Sequence, residues 1–296
     1  MKIKYLCYIV LLCLFSCCTK VLDSSQGQTP ETINGFIVRW RKQMSSEQKK
    51  VVREILNNMV RIEGGTYLMG ATLEQTEYAR PNELPVSYNR VSDFYICKYE
   101  ISDEQYCTIL NSESDMTRRI LHLSRNDWTY FIEVLNELTL LKFDFPTEAQ
   151  WEYAARGGRL SKSYIFPGSN DIRQALNGSV CHNELGIYNM GDGKSEWCKD
   201  YYELYKNDRL YENRYISAGK DFVVRGGNQE CKAEVKKYQK KYQSDLSTRD
   251  MFGHFCANGF PRIYDYRYCR ISARSYYPSY IKNKDIGCRL VINNNE

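Results

Sequence analysis

The alternation of apolar and polar positions predicts four helices, three of them opened by a side chain that can cap them. Ser45 to Asn58 places Val51, Val52, Ile55 and Leu56 on one face, the spacing of an amphipathic helix. Ser45 and Gln48 form its capping box, in which each side chain satisfies a backbone N–H of the other's residue. Ser102 and Gln105 repeat the device within Phe94 to Asn111, a strand running into a helix that Tyr106, Ile109 and Leu110 bury. Asn126 to Leu141 is a longer helix, with Trp128, Phe131, Ile132, Leu135 and Leu138 at core spacing. The fourth helix is short and lies in Phe145 to Gly158, FPTEAQWEYAARGG. Thr147 and Gln150 box its start and Pro146 punctuates it. Trp151, Ala154 and Ala155 form its apolar stripe, and Gly157-Gly158 stop it.

The strand signals are shorter. Met59 to Gly70, MVRIEGGTYLMG, reads as two strands around a Gly64-Gly65 turn. Past residue 158 the apolar runs are brief, separated by Gly, Asn and Asp, and few alternate cleanly. This pattern predicts a loop-rich α+β domain without internal repeats.

Composition narrows the function. The 296 residues have room for one large domain or two small ones. A formal net charge of +5 is too mild for a dedicated nucleic-acid binder, so no nucleic-acid partner is expected. The 25 Tyr outnumber the 11 Phe, which favours half-exposed contact surface. Lys2 and Lys4 precede an apolar run from Tyr5 to Phe15, the layout of an export signal and too short for a membrane span of ~20 residues. The run ends in Leu14-Phe15-Ser16-Cys17, which resembles a bacterial lipobox. Residues 1–17 are therefore expected to be a lipoprotein signal ending at a lipidated Cys17. The membrane is then a partner through the lipid, at the periplasmic face or the outer-membrane surface of the cell envelope. Residues 18–44 are polar and turn-rich and read as a tether, with the folded domain expected over 45–296. In an oxidising compartment some of the 12 Cys can pair, with connectivity open. No CxxC pair or His-rich tract suggests zinc. Lys232 to Gln243, within a basic insertion at about 232–262, puts Lys232, Lys236 and Lys240 on one helical face and Val235, Tyr238 and Tyr242 on another. That segment is either a packed amphipathic helix or a contact patch for an acidic partner or headgroups.

Several segments, in order, resemble the sulfatase-modifying-factor family, the formylglycine-generating-enzyme type of domain. FPTEAQWEYAARGG looks like its signature helix, and MVRIEGGTYLMG and FYICKYEISDEQYCTILN like its opening elements. LGIYNMGDGKSEWCKD, VVRGGN, RISARS and DIGCRLV look like its later motifs. The likeness runs from about residue 58 to 292. It implies a single C-type-lectin-like variant fold built from many loops around small antiparallel sheets.

The resemblance also implies chemistry. Active members oxidise a cysteine of a sulfatase peptide to formylglycine, with two cysteines holding Cu(I), a soft ion that suits thiolates. The first falls on Cys231, four positions after Gly227. The second falls on Lys236, and Cys256 or Cys269 is the replacement. Arg274 and Asn228 are expected to face the substrate. Asp192 and Glu196 are the candidates for one Ca(II) site, since hard cations need convergent oxygens. Two readings follow. One is a binding or structural module with a degraded active site and a protein or peptide ligand. The other is a copper-dependent oxidase acting on a cysteine in a protein substrate.

Overall fold

The local signals for helix starts are realised as hydrogen bonds. In the computed structural model, which describes residues 29–112, 121–175, 182–206, 210–227 and 269–294, Ser45, Ser102 and Thr147 each close a reciprocal capping box with the Gln three residues on. A fourth box, Ser124 with Asp127, opens the long helix and was not foreseen. The helices that pack the core are α1 (Ser46–Asn57), α2 (Asp103–Leu110), α3 (Arg125–Thr139) and α4 (Glu148–Ala155), and a further helical turn spans Ile172–Ala175. The expected core positions of α1 and α3 are buried. No helix of the described residues is long and apolar enough to cross a membrane.

The strands, in chain order, are β1 (Glu31–Ile33), β2 (Phe36–Val38), β3 (Met59–Ile62), β4 (Gly65–Met69), β5 (Ser87–Val91), β6 (Phe94–Cys97), β7 (Phe143–Asp144), β8 (Ser195–Tyr201), β9 (Tyr211–Glu212), β10 (Phe222–Arg225), β11 (Arg274–Tyr277), β12 (Ile286–Gly287) and β13 (Val291–Asn293). They form a β1-β2 hairpin and three sheets, ordered β11-β10-β8-β12, β3-β6-β13-β7 and β4-β5-β9. The two strands foreseen in Met59 to Gly70 both form, but they belong to different sheets. The Gly64 turn explains the separation. A side chain at Gly64 would begin 2.3 Å from the Val91 carbonyl oxygen, so only Gly lets the chain cross there.

Two apolar clusters hold these layers. One packs Val52 and Leu56 of α1, Ile109 of α2 and Trp128, Phe131 and Leu135 of α3 against Trp197 and Leu290. Its centre is an aromatic group, with Tyr106 edge-on to Trp128 at 5.0 Å and stacked on Phe131 at 5.5 Å. The second lies under α4 and joins Ala149, Trp151 and Ala154 to Phe94, Ile96, Val223 and Val291.

One expectation is corrected. Residues 18–44 do not read through as a tether, because from Glu31 the chain folds into the β1-β2 hairpin. Asn34 and Gly35 take φ of 49° and 84°, the left-handed pair that a tight hairpin turn demands. The Asn34 side chain donates to the carbonyls of Leu56 and Met59, tying the hairpin to the end of α1. Ile33, Val38, Trp40 and Met44 are buried in the first cluster. Trp40 also donates its indole N–H to Glu31 at 2.9 Å, while the Arg53 guanidinium lies 5.1 Å from its ring centre. Trp40→Ala is expected to lower unfolding free energy by ~3–5 kcal/mol in urea titration, the cost of deleting a packed aromatic side chain. A loss under ~1 kcal/mol would return this segment to the status of a tether.

Candidate functional site

The helix α4 is too short for a one-sided stripe, and every one of its residues is buried. Its acidic residues therefore carry charge into the interior. Glu148 and Glu152 stand one helical turn apart and share a face. Arg274 holds Glu148 in a two-pronged grip, donating Nε–H and Nη2–H at 2.8 Å each. Arg214 donates to the same carboxylate at 3.2 Å, and the Arg225 Nε lies 3.5 Å from it. Arg225 turns its Nη2 to Glu152 and its Nη1 to the carbonyls of Ser272 and Ala273. Glu152 also accepts from the Gly70 backbone N–H at 2.8 Å and from Arg156 at 2.7 Å.

Two further pairs extend the network. Arg270 grips Glu83 at 2.6 and 2.8 Å, and Ser272 donates its hydroxyl to the same carboxylate at 2.7 Å. Arg289 donates to both oxygens of Glu196, at 2.6 to 3.0 Å, and Trp151 of α4 donates its indole N–H to Glu196 at 2.7 Å. Arg225, Arg270, Arg274 and Arg289 are all at most 1% exposed.

Electrostatics follow from this pairing. Burial pushes the Glu148 carboxyl up, but the charges of Arg274, Arg225 and Arg214 together hold it below its ordinary value. Arg225 and Arg289 are held above the ordinary guanidinium value by their carboxylates, against the opposing effect of burial. Asp200 differs. It is buried, accepts the backbone N–H of Glu148 and of Ile216, and faces the Glu148 charge; burial first and that charge second raise it to about 7. Burial raises the Cys97 thiol to about 12 and pushes the Cys198 and Cys288 thiols up as well, which makes them poor thiolates.

Arg274 does not face a substrate; it is 1% exposed and committed to Glu148. Glu196 is not available to a cation, because Arg289 and Trp151 occupy its oxygens, and no cluster of acidic, Cys or His side chains suited to a metal occurs among the described residues. Asp192 is buried in the turn before β8. Cys269 is wholly buried against the Arg225-Gly226-Gly227 segment: a side chain at Gly227 would begin 2.5 Å from its sulfur and 2.3 Å from the Gly191 carbonyl oxygen. Cys17, Asn228, Cys231, Cys256 and the basic insertion lie outside the described residues. Cu(I) needs at least two thiolates, and among the described residues Cys269 alone brings sulfur to Gly227, so these residues do not by themselves fit the ion. Sequence reasoning missed Glu83, Glu148, Glu152 and Asp200. For Glu148 and Glu152 the available signal was two acids one turn apart on a helix otherwise made of Ala, Gln, Trp and Tyr.

A loop-rich α+β fold with carboxylates and guanidiniums paired inside it defines a rigid scaffold class more than a reaction. The chain belongs to the sulfatase-modifying factor enzyme 1-like domain family, which matches residues 44–294. It is 23% identical over 236 residues to the chaperone protein LppX of Paenibacillus barcinonensis, covering 57% of this chain and 80% of that one. It is 27% identical over 150 residues to the formylglycine-generating enzyme of Streptomyces coelicolor, covering 40% of this chain and 46% of the enzyme. The chain thus spans most of the first relative and less than half of the second. Among solved structures, Treponema denticola variable protein 1 superposes with a TM-score of 0.56 at 15% identity, over 79% of this chain and 94% of that one. That likeness establishes the C-type-lectin-like variant fold of the formylglycine-generating type.

The Asp200 geometry sets a pH dependence. A carboxyl raised from 3.8 to about 7 binds its proton more tightly in the folded state. Its contribution is therefore full below the unfolded value and is lost as pH rises from about 4 to about 7. Glu148 runs the other way, its contribution being lost as pH falls below the ordinary carboxylate range. Asp200→Asn removes one backbone acceptor and is expected to be less stable by ~1–3 kcal/mol at pH 5, a deficit that narrows toward pH 8 as the wild-type carboxyl ionises. The decline of its melting temperature between pH 5 and pH 8 should be shallower than in the wild type. Parallel curves would assign that decline to other groups.

Proposed function

We propose that this chain is a lipid-anchored module of the cell envelope whose family scaffold serves binding or structure rather than thiol oxidation. The observation that carries this reading is the consumption of the motif charges. Arg225, Arg274 and Arg289 are matched to Glu148, Glu152 and Glu196 inside the protein, and Cys269 beside Gly227 is wholly buried. A substrate thiol has no path to a sulfur without solvent exposure. The exposed Tyr88, Tyr99, Tyr130, Tyr276 and Tyr280 give the surface the contact chemistry of a protein or peptide binder.

The oxidase reading has one observation on its side. Cys269 lies against the glycine that leads, four residues on, to Cys231. The mature, reduced chain is therefore to be titrated with Cu(I) against a chelator and incubated in air with a cysteine-containing sulfatase peptide. The expected result is no tight copper and no aldehyde by mass spectrometry. Aldehyde formation that disappears in both Cys231→Ala and Cys269→Ala would establish the oxidase instead.

The anchor rests on the Leu14-Phe15-Ser16-Cys17 motif. In bacteria fed a labelled fatty acid, the wild type should take up label and partition with membranes. Cys17→Ser should do neither. Equal labelling of Cys17→Ser would move the lipid elsewhere or remove it.

A further inference from the structure

Seven arginines are buried among the described residues. Six of them have a carboxylate oxygen within 3.2 Å: Arg156, Arg214, Arg225, Arg270, Arg274 and Arg289. Arg125, the first residue of α3, is the exception. It is 9% exposed. Its Nε and Nη2 donate only to the carbonyls of Cys198 and Lys199, both at a long 3.4 Å, and its Nη1 has no protein acceptor among the described residues. The nearest acid in the wall, Asp144, is held by Lys199 at 2.7 Å. Burial accordingly pulls the Arg125 guanidinium below its ordinary value.

Arg125 opens onto a cavity of about 470 Å³ between α3 and the ends of β8 and β10. That is the size of a small-molecule site. Its walls are aromatic. The guanidinium lies 3.6 Å from the Phe222 ring centre and 4.5 Å from that of Phe145, and the Tyr201 ring packs on Phe222 at 4.0 Å. Tyr215, with Lys199 5.0 Å from its ring centre, completes the far side. Glu133 is exposed on the rim.

We propose that this cavity binds a small aromatic carboxylate, with the carboxylate on the free edge of Arg125 and the ring against Tyr201 and Tyr215, since Arg125 and Tyr201 already cover the two faces of Phe222. The placement of charge selects the class. Arg125 and Lys199 face Asp144 and Glu133, so the lining is neutral overall, but Lys199 is paired with Asp144 at 2.7 Å and Glu133 lies out on the exposed rim, which leaves Arg125 as the buried cation with no carboxylate at ion-pair distance. A monoanion matches it, whereas a phosphate dianion would bring a second charge toward Glu133 and Asp144. The geometry favours a planar anion, which a guanidinium edge pairs with two N–H groups. The site shares no residue with the Gly227–Cys269 region, so it stands or falls apart from the question of oxidation.

The test is calorimetric titration of the full mature chain at low ionic strength with N-acetylphenylalanine, its amide and inorganic phosphate as probes. The acid should bind roughly ten-fold or more tightly than the amide, the scale of one charge-assisted hydrogen-bond pair. Arg125→Met should erase that preference. Glu133→Gln, a change on the exposed rim, should tighten the acid about two- to five-fold, because a surface like charge is removed. Circular dichroism reports whether Arg125→Met folds. If it does not, the acid–amide preference and the Glu133→Gln shift decide the matter on folded proteins. Equal binding of acid and amide, no binding of either, or phosphate binding as tightly as the acid would overturn the proposal. Arg125 would then be an internal brace between Phe145 and Phe222.

Discussion

Glu148 is a full negative charge at no solvent exposure, and three guanidiniums converge on it. Moving a carboxylate out of water costs several kcal/mol even after relaxation, so the group is tolerable only while its partners are in place. Those partners come from far along the chain. Arg274 is 126 positions away and Arg214 is 66 away. The carboxylate thus fixes three things at once: the depth of α4, the register of β11, and the position of the loop that carries Arg214. Glu152 does the same for β10 through Arg225. Buried ion pairs of this kind contribute little net stability compared with apolar packing, but they penalise any arrangement that leaves one member alone.

This explains why the recognisable wording of the chain tracks architecture more closely than chemistry. The RGG segment needs its arginine to reach Glu152. It needs Gly226 at φ 81°, where an added side chain would begin 3.2 Å from the Trp151 ring. It needs Gly227 to pass between the Gly191 carbonyl and the Cys269 sulfur. Each requirement is steric or electrostatic, and each would persist in a chain that had given up catalysis. The cavity beside Arg125 is built differently, from a cation left without an internal acid.

The parts of the fold legible in the sequence were those decided within a few residues. Capping boxes at Ser45, Ser102 and Thr147 are local contracts between a hydroxyl and a glutamine three positions on, and they formed as read. The β1-β2 hairpin was also a local signal, Asn34-Gly35, but it sat among polar residues whose composition suggested a tether. The interior charges were not legible. Helical periodicity assigns acidic residues to solvent, and only the arrival of arginines from distant strands reverses that assignment. Arg274 and Glu196 were assigned to a substrate and a cation through the family resemblance, and the same pairing inside the protein takes them up instead.

The strand β13 lies between β6 and β7 in the middle of its sheet, pairing Val291 with Ile96 and with Asp144. Arg270, Arg274 and Arg289 belong to the same late stretch of chain and neutralise Glu83, Glu148 and Glu196. Before that stretch is made, β6 and β7 have a gap between them, Glu83 and Glu196 lack their arginines, and Glu148 has only Arg214 and Arg225. The apolar residues of α1, α2 and α3 can pack on one another earlier, but the sheet itself cannot close, since non-local pairing must wait for its partner. Closure of this sheet therefore waits on the stretch past residue 270, whatever the upstream helices have already packed.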